Sequence, residues 1–69
     1  MSSEQTPIPL DGLAAPARRA LAGAGYTTLE QLAEVREREI AGLHGMGRNG
    51  LEKLRQALGE HGLSFADAG

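Results

Sequence analysis

LHGMGRNGLEKL, residues 43–54, repeats the pattern of LAGAGYTTLEQL, residues 21–32, at an offset of 22. Six of the twelve aligned positions are identical: Leu21/Leu43, Gly23/Gly45, Gly25/Gly47, Leu29/Leu51, Glu30/Glu52 and Leu32/Leu54. The shared pattern has a direct physical reading. A helix ends in an inward-facing leucine, and a glycine pair permits the positive φ of a tight hairpin. The residue between the glycines, Ala24 or Met46, is expected to plug the hairpin into the core. A second helix then opens, with leucines at i and i+3. One such unit buries too little apolar surface to stand alone, whereas two packed about a pseudo-two-fold axis share one core.

Working outward, helix punctuation divides the chain. A first helix is expected over about Ala15 to Gly23, with Pro16 in the turn where a missing N–H does no harm. Leu13, Ala17, Ala20, Leu21 and Ala24 fall on one side of it at helical spacing. Thr27-Thr28-Leu29-Glu30 has capping-box spacing, with Thr27 as N-cap and Glu30 reaching back. It introduces a short helix over about Thr28 to Ala33. REREIAGL, residues 36–43, gives a third short helix that buries Ile40 and Leu43. The longest helix is expected from about Arg48 to Glu60, with Leu51, Leu54, Ala57 and Leu58 inward. Gly62 caps it and Leu63 folds back, as in a Schellman motif. The expectation is an all-α domain of four to five helices made of two helix-hairpin-helix units over residues 10–63. A flexible N-terminal arm (1–9, MSSEQTPIP) and a frayed tail (64–69) flank it.

Sixty-nine residues lie near the lower limit for a self-sufficient core. Without cysteine or tryptophan, and with one Phe and one Tyr, that core rests on aliphatic side chains and neither disulfides nor thiolate metal sites assist it. No apolar run is long enough to span a membrane and no secretory leader is evident, so a cytoplasmic location is expected. The formal net charge is −2. Yet residues 15–62 hold all seven basic side chains against six acidic ones, a net of +1, and six of the seven are arginine, the planar phosphate chelator. Arg36 and Arg38, set among Glu34, Glu37 and Glu39, read as a solvated charged face. Arg55 reads as a partner for Glu52 at i+3, or as a free cation. His44 and His61 have no companion ligands, so no metal site is expected. No nucleophile, base and orienting group form a set, and neither catalysis, a cofactor nor a small-molecule substrate is expected.

GMGRNGLEKLRQAL resembles the hairpin and second helix of the helix-hairpin-helix superfamily. The stretch 9–65, from PLDGL through ARRALAGAGYTTLEQLAEV to EHGLSF, resembles the C-terminal domain of the bacterial RNA polymerase alpha subunit. The resemblance implies a DNA-binding domain that grips backbone at the minor groove, touches transcription proteins and, lacking the polymerase assembly domain, acts as a free-standing bacterial relative. Four positions depart from that family. It places an arginine early in the first helix and an asparagine three residues later, where this chain has Pro16 and Arg19. At the second hairpin it tends toward lysine and serine, where this chain has Asn49 and Gly50.

A hairpin that runs into a helix presents unpaired N–H groups and the positive end of the helix dipole, which suit phosphate oxygens. The expected contacts at the second hairpin are Gly45, Gly47, Arg48, Asn49 and Gly50, with Lys53 one turn along. The first hairpin offers Gly25, Thr27 and Thr28. Arg18 and Arg19 are further candidates. Contacts of this kind position a protein on double-stranded DNA without reading its sequence. With so few charges the affinity is expected to be roughly micromolar or weaker, with a shallow salt dependence. The second reading is a protein-interaction module that docks on RNA polymerase or another transcription or repair complex through its Glu-rich short helices.

Overall fold

The computed structural model describes residues 5–67. Its elements are a 3-10 turn at Leu10–Gly12 and four helices: α1 (Ala15–Gly23), α2 (Leu29–Leu32), α3 (Glu37–Ala41) and α4 (Arg48–Glu60). The protein is all-α. The only extended pairing among the described residues is an isolated antiparallel bridge between Pro7 and Thr28.

The two helices with a long apolar stripe, α1 and α4, begin and end where their sequences predict. Pro16 sits in the first turn of α1. That helix ends in a 6→1 closure, in which the N–H of Tyr26 donates to the carbonyl of Leu21 at 2.9 Å while Gly25 takes φ 89°. α4 ends the same way, with Leu63 N–H donating to Leu58 at 2.7 Å and Gly62 at φ 73°. Both are Schellman closures.

The core comprises Leu13, Ala17 and Leu21 from the α1 stripe, Leu29 and Leu32 from α2, Ile40 from α3, and Leu54, Ala57 and Leu58 from α4. Leu51 and Met46 pack half-buried against it, as do Leu43 and Leu63. Ala24 does not. It is exposed, because the α1 closure turns it outward, and half-buried Tyr26 packs on the core near it.

Both flanks differ from expectation. Of the segment expected as a flexible arm, Thr6 to Ile8 are docked on the first hairpin. Ile8 is buried in the core, its N–H donates to Thr27 at 3.1 Å, and the Thr6 carbonyl accepts from Leu29 at 2.8 Å. Residues 1–4 of that arm lie outside the described residues. In the expected tail, Phe65 is fully buried. Ala66 N–H donates to Val35 at 2.8 Å, and the Asp67 carboxylate accepts from Glu37 N–H at the start of α3. The last two tail residues lie outside the described range. For a domain this small these additions matter, since one buried Phe contributes about 3 kcal/mol or more against truncation.

The α2 cap is shifted by one residue. Thr28, not Thr27, is the N-cap, and Gln31, not Glu30, closes the capping box. The reason is tertiary. The Glu30 carboxylate is taken by Thr6, accepting from its N–H at 2.7 Å and its hydroxyl at 3.0 Å, so Gln31 is left to reach back. Arg55 pairs across to Glu37 on α3 at 2.6 Å rather than with Glu52.

Candidate nucleic-acid interface

The two hairpins share sequence but use their glycines differently. In the first, Gly23 is the last residue of α1 and Gly25 forms the helix closure. In the second, α3 has already ended, and Leu43–Met46 form a turn closed by a 3.0 Å bond from Met46 N–H to the Leu43 carbonyl. Gly45 stands third in that turn at φ 96°. Gly47, the sequence counterpart of Gly25, is the N-cap of α4 with φ −101°. The glycine of positive φ thus comes from opposite members of the two pairs. Gly45 is also held by a close approach: a Cβ there would lie 2.7 Å from the Pro16 carbonyl oxygen. Only glycine allows the second hairpin to seat against the start of α1.

Hydrogen-bonding separates the hairpins further. In the first, the N–H groups of Thr27 and Thr28 both donate to the Gln31 side-chain oxygen, at 2.6 and 2.9 Å. Leu29 N–H is taken by Thr6, and Gln31 N–H by the Thr28 hydroxyl at 3.3 Å. The Thr6 N–H holds the Glu30 carboxyl below the usual carboxylate range, leaving an anion in this turn. The hairpin is closed on itself. In the second, Gly47 supplies no capping side chain. Among the described residues no acceptor meets the N–H groups of Gly47, Arg48, Asn49 or Gly50; the next one, Leu51, donates to Gly47 at 3.1 Å. Four donors at the positive end of a thirteen-residue helix are therefore without a protein acceptor among the described residues.

The residues that carry these donors line a cleft of about 460 Å³. On one side stand Gly47, Arg48, Asn49, Gly50 and Lys53; on the other Gly12, Ala14, Pro16 and Ala17. The far wall has almost no side chains, so a ligand meets backbone and methyl groups there. Gly12 matters for the same reason, since a Cβ on it would lie 3.1 Å from Cδ of Lys53, whose stem crosses over it. No carboxylate lines the cleft. Arg48, Lys53, Arg18 and Arg19 form no ion pair among the described residues, where Arg55–Glu37 is the only one.

The structure thus gathers six of the expected contact residues, Gly45, Gly47, Arg48, Asn49, Gly50 and Lys53, into one cleft. Arg19 lies beside it across Gly45, with His44. Arg18 does not join them. It borders a separate apolar groove with Pro7, Ile8, Leu10, Leu21 and Tyr26. Gly25, Thr27 and Thr28 are likewise away from the cleft, and Thr27 lines the Arg18 groove. The wall formed by Gly12, Ala14, Pro16 and Ala17 was not expected from sequence. Its small residues carry no chemical signal until α1 is packed against the second hairpin.

The arrangement is suited to holding an oxyanion: it presents N–H donors, a guanidinium, an amide and an ammonium. Among the described residues no three His, Cys, Asp or Glu are grouped to hold a metal ion, and no helix is long and apolar enough to cross a membrane. Comparison with protein-family models, curated proteins and solved structures gave no match.

Proposed function

We propose that this chain is a non-enzymatic DNA-binding module that grips the phosphate backbone of double-stranded DNA through its second hairpin. One observation carries the reading: the residues of four unpartnered N–H groups, Gly47 to Gly50, line with Lys53 a cleft whose lining contains no carboxylate. The donors suit phosphate oxygens, and the side-chain-poor wall lets a sugar-phosphate strand approach closely. The helix-hairpin-helix repeat and the resemblance to the RNA polymerase alpha C-terminal domain point the same way, toward minor-groove backbone, a transcription-related role and a bacterial cytoplasm. The two repeat units are then an inherited pair about a pseudo-two-fold, of which only the second keeps its phosphate-binding face.

Fluorescence anisotropy with a short labelled duplex tests this. The expected result is micromolar affinity at low salt, with a logarithmic salt slope of about −2 to −3 from a few neutralised phosphates. Absence of binding at about 50 mM salt, where such contacts are strongest, contradicts it.

A protein partner is supported by a different feature. Leu10 is the one large apolar side chain exposed among the described residues, at 45%, and it borders the groove with Tyr26 and Arg18. In that reading the groove docks on a transcription or repair complex while the hairpin holds DNA. Leu10→Ser abolishes such docking without changing duplex affinity.

A further inference from the structure

We propose that Met46 is an oxidation site that switches the hairpin cleft: conversion of its thioether to the sulfoxide unseats the second hairpin and weakens its hold on phosphate. The effect on DNA rests on the reading above, whereas the effect on the cleft does not. The chain has two methionines and no cysteine. Met1 lies outside the described residues, so Met46 is the thioether that the fold places. It stands between Gly45 and Gly47 and ends the turn by donating its N–H to Leu43 at 3.0 Å.

The Met46 sulfur lies where the two walls of the cleft meet. A Cβ on Gly50 would come within 3.0 Å of Met46 Sδ, 3.5 Å of Ala17 Cβ and 3.8 Å of Leu13 Cδ2. Gly50 and Ala17 line opposite walls of the cleft. The thioether thus pegs the start of α4 to α1, and the absent side chain of Gly50 leaves it room. Leu13 and Ala17 are buried, so the sulfur's inner neighbours are methyl groups. Met46 itself is only half-buried, within reach of a small peroxide. In the oxidation a sulfur lone pair attacks one oxygen of hydrogen peroxide, the O–O bond breaks, and a proton shift releases water. Sulfur is oxidised and the peroxide reduced by the same electron pair. The flexible apolar peg becomes a bulkier polar group with an acceptor oxygen. Held against Leu13 and Ala17, that oxygen is desolvated and unpaired. Turned toward residues 47–50, it takes N–H donors that have no other acceptor among the described residues. Either course removes part of the phosphate site.

The test treats the full chain with hydrogen peroxide and locates the added oxygen by peptide mass spectrometry. Oxidation of Met46 is expected to weaken duplex binding about tenfold and to lower the melting temperature by about 5 °C. The amide signals of Ala17 and of residues 47–50 are expected to shift, and methionine sulfoxide reductases to restore all three readouts. Met46→Leu keeps an apolar peg of similar volume without the sulfur. After the same treatment it is expected to bind and melt as it did before, although its Met1 remains oxidisable. The reductase arm needs no substitution, so the test does not depend on how that variant folds. The switch is wrong if Met46 stays reduced in the folded chain while Met1 is oxidised. It is equally wrong if oxidised Met46 leaves melting and those signals unchanged, if it leaves the affinity of a binding chain unchanged, or if treated Met46→Leu loses as much as the wild type. If the untreated chain binds no duplex, the DNA reading falls, and the coupling of Met46 to the cleft is decided by the melting and the shifts alone.

Discussion

The two hairpins of this protein share a twelve-residue pattern and differ in how their N–H groups are used. The first is closed: Gln31 takes two of its N–H groups, Thr6 takes a third, and Glu30 leaves a negative charge in the turn. The second is open: its N-cap is a glycine, four N–H groups lack acceptors among the described residues, and Arg48 and Lys53 line the same cleft. Much of the difference lies at Gln31, whose side-chain oxygen accepts two N–H groups and whose counterpart in the repeat is Lys53, a side chain with no acceptor. A Thr at the N-cap serves the helix itself, whereas a Gly there leaves the helix end to a ligand. Identity in sequence thus conceals a division of labour, with one hairpin holding the N-terminal segment and the other facing solvent.

The largest predicted effect lies at the glycines that make the two turns. Gly45→Ala places a Cβ 2.7 Å from a backbone carbonyl at φ 96°, and is expected to cost about 3 kcal/mol or more in urea unfolding and to remove DNA binding. Gly25→Ala meets open space at φ 89°, so only the backbone conformation is penalised, by about 1 kcal/mol, with binding retained. Equal costs would show that the second hairpin is not seated on Pro16 as described.

Arg48→Glu comes next. It is expected to weaken duplex affinity tenfold or more while leaving the unfolding free energy within about 0.5 kcal/mol. The new anion is favoured at the helix N-terminus, and repulsion from Glu52 one turn on offsets the gain. A variant that loses binding only because it unfolds runs against the account. Gln31→Ala breaks the capping box of the closed hairpin and is expected to lower stability by about 1 kcal/mol, measured by thermal melting, with duplex affinity unchanged.

The smallest effect is on pH. Because Thr6 holds the Glu30 carboxyl below its usual value, that contact stabilises the fold above the ordinary carboxylate range and is lost as pH falls through the lowered value. Hydrogen exchange at the Thr6 amide should therefore speed up on acidification. In Glu30→Gln, which carries no titrating carboxyl, this dependence should disappear.

How much of this was legible in sequence depends on element length. α1 and α4 carry enough apolar periodicity for both ends to be read correctly. The α2 cap is ambiguous by one residue in sequence, since two threonines stand together and Glu30 and Gln31 both suit the box; Thr6, 24 residues from Glu30, engages the Glu30 carboxylate. Ile8 and Phe65 were unreadable for a simpler reason. Each stands in a short proline- or glycine-flanked segment beside one other large apolar residue, Leu10 or Leu63, with no helical repeat to signal which of the two is buried. At the site, the glycine-to-helix pattern marked the donors from Gly47 to Gly50, but the opposing wall of Gly12, Ala14 and Pro16 exists only through packing. The repeat also suggested a symmetry of use that is absent from the hydrogen bonds, since matching glycines do not reveal which of a pair takes positive φ.

One hairpin presents N–H groups without acceptors among the described residues, and the other has its N–H groups taken. Amide chemical shifts followed through titration with a short DNA duplex test this difference residue by residue. Gly47, Arg48, Asn49 and Gly50 are expected to move together while Gly25, Thr27 and Thr28 remain in place. Movement of the first hairpin equal to that of the second, or a second hairpin that stays still, would contradict it.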